Sequence, residues 1–198
     1  MKTQNDSSAL LNYLRHFIND SDKHSEQQFS EIAHRFKELT LKRNQLLVEE
    51  NQVCPYFCFV DSGILQHAIV VETEEKTTYL ALRNSVTSSL NSFLNKIPSR
   101  KSIKALVDCQ LWVIDLENFQ DLLTNNQVFH QFYYNLIERQ IMLIDDYRID
   151  LLTLTPEERY KKLLATEPKL LQEVPLHYLA SFLGISNRHM SRIRKNIG

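Results

Sequence analysis

The residues with the most evident chemistry lie at the C-terminal end. Residues 174–198 read VPLHYLASFLGISNRHMSRIRKNIG and hold Arg188, Arg192, Arg194 and Lys195 but no Asp or Glu. This stretch carries +4, whereas the rest of the chain carries −5. Arg188 and Arg192 are one helical turn apart, so both can face the same groove. A guanidinium fork matches the O6/N7 edge of guanine, and Asn187 can pair with adenine or accept the first phosphate contact. Ser191 is short enough to permit close approach. His189, Arg194 and Lys195 suit phosphates, which position a protein on DNA without specifying sequence. The same stretch can also be read as a basic helix that docks on another protein.

Other constellations carry less. Cys54 and Cys58 are a C-x3-C pair, and Cys109 stands apart. If all lie on strands, the even spacing puts Cys54 and Cys58 on one face. Two ligands are too few for a closed zinc site, so the three are expected to be reduced, buried thiols. The seven histidines, from His16 to His189, show no HExxH or HxH spacing. Asp145 and Asp146 are adjacent on a helix and point about 100° apart, so with Asp150 they read as a solvated face. No metal ligand set or activated nucleophile emerges. A hydrolase using Cys54 or Cys109 would need a histidine beside the thiol. Three glycines in 198 residues leave no room for a GxGxxG or GxxxxGK[ST] loop. The opening MKTQNDSS lacks the apolar run of a secretory signal, and no stretch of about 18 apolar residues exists.

The elements that must position the basic face can be read outward from it. Leu176, Leu179, Ala180 and Leu183 form the apolar face of one short helix. Gly184 supplies the turn, Ile185 follows, and Ser186 caps a second helix from Asn187 to Asn196. Two helices meeting at a wide angle need a residue at φ > 0 and a small residue at the crossing. Gly184 and Ala180 meet those needs, and Ile185, Met190 and Ile193 fill the wedge. The pattern is a helix-turn-helix. Upstream, Thr155-Pro156-Glu157-Glu158 is a helix start with an N-cap, proline at N1 and a capping box. Its helix, with Tyr160, Leu163 and Leu164, is expected to end near Pro168.

A long helix is expected over about 127–152, capped by Asn125-Asn126. One stripe holds Tyr134, Ile137, Ile141, Ile144 and Leu151; a second holds Phe129, Tyr133, Leu136, Leu143 and Tyr147. Two stripes imply packing on two sides: one on the chain's own domain and the other against a partner, expected to be a second copy of the chain, the alternative being a helix buried within a monomer. The dimerisation residues are Tyr134, Ile137, Ile141 and Ile144. Before this helix, short β-rich runs recur: 39–41, 46–48, 56–60, 64–71, 77–82, 103–107 and 110–115. They suggest an antiparallel sandwich or barrel. The runs flanking Gly63 read as a hairpin, Glu72–Lys76 as a turn, and Leu116–Leu123 as a short helix. Trp112 and Phe119 read as core. Two N-terminal helices precede the strands. Leu10, Leu11, Leu14, Phe17 and Ile18 lie on the first, with Asp6, Ser7 and Ser8 offering its cap. Phe29, Ile32, Ala33 and Phe36 lie on the second, after a turn at Asn19-Asp20-Ser21-Asp22.

This order of elements resembles the Crp/Fnr family of cyclic-nucleotide-binding-domain transcription regulators, over about 29–195. The stretches that carry it are Tyr56–Gly63 (the family's hairpin with a turn glycine), Pro98-Ser99-Arg100, the long helix and Leu179–Ser186. The run LTPEERYKKLL before VPLHYLASFLGIS is similar to Bacteroidetes-type members. The resemblance implies an α+β fold: an N-terminal antiparallel β-roll of the cyclic-nucleotide-binding kind with flanking helices, a long dimerisation helix and a C-terminal winged helix-turn-helix. The expected division is 1–124, 125–152 and 153–198. Double-stranded DNA, a second copy of the chain and RNA polymerase are the implied partners; a cytoplasmic location and no membrane contact are expected.

The chain departs from the family in the phosphate-binding cassette. The family's Gly-Glu-Leu segment and following Arg-Ser or Arg-Ala pair correspond here to Val86–Phe93 and Pro98–Ser102, without the glycine or the glutamate. Aligned through Cys109, Ser99 takes the arginine's place and Arg100 is shifted by one. Ser89, Ser99 and Arg100 are the candidate ligand-pocket residues. No cofactor is expected, and cyclic AMP is not the expected effector. Either another ligand, such as an anion, fits the pocket, or the pocket is empty and control lies elsewhere. The competing function class is a sensor whose helix-turn-helix binds protein.

Overall fold

The computed structural model describes residues 8–18 and 25–197. The cap at Asp6 and Ser7 and the turn at 19–22 lie outside them. Two helices come first, α1 (Ser8–His16) and α2 (Glu26–Arg35). Leu10 and Leu14 of α1 and Phe29 and Ile32 of α2 are buried, as their helical spacing requires. Ser25 caps α2 in a capping box with Gln28.

Eight strands follow: β1 (Lys37–Leu41), β2 (Leu46–Val48), β3 (Phe57–Ser62), β4 (Leu65–Val71), β5 (Glu74–Ala81), β6 (Ser85–Thr87), β7 (Ser102–Ala105) and β8 (Cys109–Ile114). They form two antiparallel four-stranded sheets, ordered β1-β8-β3-β6 and β2-β7-β4-β5. A short helix, α3 (Leu90–Asn95), sits between β6 and β7. The two sheets face each other over one core, which holds Phe59, Leu65, Ile103, Leu111 and Trp112. Phe119 is its aromatic hub: its ring lies 5.2–5.4 Å from those of Phe57, Phe93, Phe129 and Tyr133.

The hairpin expected at Gly63 does not form. β3 pairs with β6 and β8, whereas β4 pairs with β5 and β7, so Gly63 carries the chain from one sheet to the other. Its φ is +95°, and a Cβ there would sit 2.7 Å from the Asp108 carbonyl and 2.5 Å from Cys109 Sγ. Glycine is required by both conformation and space. The hairpin is β4–β5, where Val71 faces Glu74 and Glu72 adopts φ +58°. The expected turn at 72–76 is thus shorter, and β5 starts at Glu74. Cys54 is not on a strand, so the shared strand face for Cys54 and Cys58 does not exist, although all three cysteines are free and buried.

α4 (Leu116–Asn125) leads into the long α5 (Gln127–Thr153), whose N-cap Asn126 accepts from the Phe129 amide. Val128, Phe129, Phe132 and Leu136 bury the first turns of α5 on the roll. Beyond them α6 (Pro156–Thr166), α7 (Pro168–Glu173), α8 (Leu176–Phe182) and α9 (Asn187–Ile197) complete the chain. The Thr155/Glu158 capping box forms as the sequence predicts. α7 was not foreseen. Among the described residues no strand follows β8, so the C-terminal unit is a helical helix-turn-helix without wing strands.

The C-terminal helices do not stand apart from the roll. Leu179, Ala180, Leu183, Met190 and Ile193 share a hydrophobic cluster with Ile64, Leu80 and Leu106 of the roll. The Thr77 amide of β5 donates to Ser181 Oγ at 2.9 Å.

Candidate functional site

The basic face is built by the turn between α8 and α9. Gly184, at φ +70°, donates to the Ser181 carbonyl, and the Ile185 amide donates to that of Ala180. These two bonds are a Schellman motif, which satisfies the last carbonyls of α8 and turns the chain. Ser186 Oγ then accepts from the His189 amide at 3.2 Å and caps α9. Met190 and Ile193 are 0% and 1% exposed against α8. Helical geometry therefore turns Asn187, Arg188, Ser191, Arg192 and Lys195 outward, and all five are exposed, as is Arg194. These residues come together as the sequence predicts. His189 differs: it is half-buried, and its Nε2 lies 2.8 Å from Glu157 Oε1 of α6. That bond holds the Glu157 carboxyl below the usual carboxylate range. Ser191 Oγ donates to the Asn187 carbonyl within the helix.

α5 connects this head to the roll. Asp150 takes an ion pair from Lys162 of α6 at 2.6 Å. Tyr147 stacks on Phe182, with ring centroids 5.8 Å apart, and its hydroxyl donates to the Phe182 carbonyl. Arg159 donates to the Leu183 carbonyl at 3.1 Å. The expected dimerisation stripe is largely open: Ile141 and Ile144 are 63% and 65% exposed, Tyr134 is exposed and Ile137 half-buried. Tyr134, Ile137 and Ile141 line an apolar groove of about 460 Å³ with Leu123 and Tyr133. The second stripe divides. Phe129 and Leu136 pack on the roll, Tyr147 meets Phe182, and Leu143 stays exposed.

In the roll, Ser89 and Ser99 are buried with their hydroxyls 2.8 Å apart. Ser99 also donates to the Lys101 carbonyl at 2.6 Å. Arg100 is exposed and does not join them; its neighbour Lys101 is half-buried, and that burial lowers its pKa. The other hydroxyls of this segment are committed as well. Ser88 donates to the Tyr56 carbonyl, and Ser92 donates to that of Ile97 while accepting from the Cys54 amide.

His67, passed over in the sequence as one of several scattered histidines, is 2% exposed on β4. Its Nε2 lies 2.6 Å from Thr87 Oγ1 of β6, and the Tyr79 ring meets it edge-on at 5.2 Å. Burial, reinforced by the charge of Lys101, pushes its pKa well below the usual imidazole range. No spacing signal could have singled it out, because only strand pairing brings β4, β6 and residue 101 together. The thiols look inert: burial raises Cys58, with Cys54 adding to the effect, and burial raises Cys109. Among the described residues no His/Cys/Asp/Glu group could hold a metal ion, and no helix is long and apolar enough to cross a membrane.

Comparison with known proteins agrees with this architecture. Residues 38–126 match the family model of the cyclic nucleotide-binding domain. Over 82–91% of its length the chain shares its fold with solved Crp/Fnr regulators, as the resemblance in the sequence implies. A CooA mutant from Carboxydothermus hydrogenoformans superimposes with a TM-score of 0.67 at 16% identity, covering 88% of this chain and 80% of that one. FixK2 from Bradyrhizobium japonicum gives 0.66 at 14%, covering 82% and 84%. A Crp/Fnr-family transcriptional regulator from Eubacterium rectale gives 0.65 at 16%, covering 91% and 87%. Among curated protein sequences there is no match.

Proposed function

We propose that the protein is a homodimeric, DNA-binding transcription regulator of the Crp/Fnr type, acting in the cytoplasm, with no enzymatic activity and no response to cyclic AMP. One observation carries the reading: α9 exposes an acid-free face of Asn187, Arg188, Ser191, Arg192 and Lys195 while burying Met190 and Ile193. A recognition helix needs that division, with one side fixed to its scaffold and the other free for the major groove. The open stripe of α5 supports a second copy of the chain, which would set two such faces about one turn of DNA apart. A signal in the roll would then act by changing how the α5 helices pair. The missing cassette residues and the committed serines support the absence of a cyclic AMP response.

The test is DNA binding by the purified protein, without added ligand, on random-sequence duplex across a salt series, with sequencing of the bound pool. Binding that weakens steeply with salt and enriches a palindrome is expected. Absence of binding at low salt would overturn the reading and favour a head that docks on protein. Arg188→Ala or Arg192→Ala should each cost about 1–3 kcal/mol at one operator base and relax the preference there. Uniform weakening across sequences would mark that residue as a phosphate contact.

A further inference from the structure

The second half of α5 carries a charge in the middle of its open apolar stripe. Tyr134, Ile137, Ile141, Ile144, Arg148 and Leu151 follow one another in steps of three and four residues. That is the seven-residue repeat of a coiled-coil seam, with Arg148 in place of an apolar residue. Asp145 lies one turn earlier, about 60° to one side of Arg148 on the same face. Ile141, Ile144, Leu151 and Leu152 are exposed around them. The head occupies the other side of the helix, where Tyr147 meets Phe182 and Asp150 pairs with Lys162. Arg148 and Asp145 are themselves exposed, and among the described residues neither makes an ion pair.

The charge narrows what can cover this face. A purely apolar partner would bury the Arg148 guanidinium without a counter-charge, at a heavy desolvation cost. A second copy laid parallel brings its own acid. Side chains on a helix lean toward its N-terminus, so Arg148 reaches back over the turn that holds residue 145. Across a two-fold axis the contact is made twice, each Arg148 on the partner's Asp145. Two cations and two anions then close on one another, and the guanidinium fork matches the carboxylate. Laid antiparallel about the middle of the stripe, a second copy would set the partner's Ile137 opposite Arg148. It would also bring the partner's Glu138 and Asp145, both acids, to the same flank.

We propose that Arg148 sets the register of the α5 pair: it bonds the partner's Asp145, twice across the dyad, and holds two copies of the chain parallel and level just before their heads. The proposal rests on the homodimer reading and adds to it what makes that pairing exclusive. An apolar stripe alone can slip by a heptad or accept another stripe. A cation inside it accepts only a helix whose acid arrives at its level. The heads then leave the pair at matching heights, as two recognition faces on one duplex require.

The test exchanges charges between full-length chains. Arg148→Glu gathers four acids at this level of the dimer, and Asp145→Lys gathers four bases. Each alone should weaken self-association at least about tenfold in sedimentation equilibrium. Both positions are exposed, so both variants should keep the wild-type circular dichroism. Mixed in equal amounts, the two should form a heterodimer in which each new charge meets its opposite. Leu151→Cys, a turn beyond Arg148, should cross-link to its copy under mild oxidation, since the three native thiols are buried. Adding Arg148→Gln should lower that yield. Self-association unchanged in either charge variant, no heterodimer on mixing, no cross-link, or a yield indifferent to Arg148→Gln would each overturn the proposal and leave a wild-type dimer standing. A wild-type chain that stays monomeric at every concentration would overturn the homodimer reading as well.

Discussion

In α9 the polar side chains Asn187, Arg188, Arg192, Arg194 and Lys195 are exposed, and the residues beneath them are apolar and buried. In the roll, residues 88–101 show the opposite arrangement: buried serines are tied to one another and to backbone carbonyls. The contrast teaches how each surface can act. The head offers donors to a large partner without rearranging, because water alone covers them. The roll's serine hydroxyls are already spent within the chain, so they can act on nothing else without rearranging. Long-range charge suits the first, and desolvated pairing suits the second.

Four experiments would break or sharpen this contrast. The largest effect is expected from Phe119→Ala, which removes the aromatic hub of the roll. A loss of about 3–5 kcal/mol in urea denaturation is expected, and a loss below about 1 kcal/mol would deny that Phe119 anchors the core. Next comes the pair of turn glycines. Gly63→Ala meets both a positive φ and the Asp108 backbone, and should cost about 2–4 kcal/mol. Gly184→Ala has a positive φ but nothing within 4 Å of its Cβ, and should cost only about 1–2 kcal/mol. Equal losses at the two glycines would mean that the crossing between sheets is looser than the contact distances imply.

Smaller again is Ser181→Ala, which leaves the Thr77 amide without its acceptor. A cost of about 1 kcal/mol is expected, with faster hydrogen exchange at that amide; unchanged exchange would remove the contact between head and roll from solution. The smallest effect is one of pH. Because the folded state depresses the His67 pKa, the unfolded chain binds the extra proton first. Stability from this group is complete above the unfolded value of 6.5 and falls as pH drops below it toward the folded value. Stability curves of wild type and His67→Gln should therefore run parallel above pH about 6.5 and converge below it. Parallel curves throughout would mean that His67 charges as easily folded as unfolded.

Local rules made much of the head legible. Thr155, Pro156 and Glu158 announce a helix start, and Ala180, Gly184 and Ile185 announce a turn, because capping and close crossing depend on residues only a few positions apart. The long helix and its outward stripe were legible for the same reason. The roll was harder, because strand runs do not say which sheet they join. Gly63 looked like a hairpin turn, whereas the real hairpin turns on Glu72, which adopts a conformation usually left to glycine. Asn44, Asn51 and Asn84 do likewise, which is how eight strands are connected in a chain with three glycines. α7 has six residues, too few to display a periodic pattern. Arg100, Lys101 and Lys104 formed a single basic loop in the sequence. Only the fold leaves the first in solvent, half-buries the second and ties the third to Glu75.

The docking of α8 beside β5 has a consequence for how the roll survives without its head. β5 is the last strand of its sheet, and Ser181 takes the Thr77 amide that a further strand would otherwise take. A roll cut free of the helices after Thr153 would present that margin uncovered, with Val70 and Val71 exposed on the neighbouring strand. Bare margins of this kind template strand addition between molecules. The truncated roll should therefore self-associate as its concentration rises, and α8 acts as the guard that keeps the intact chain from polymerising through its sheets.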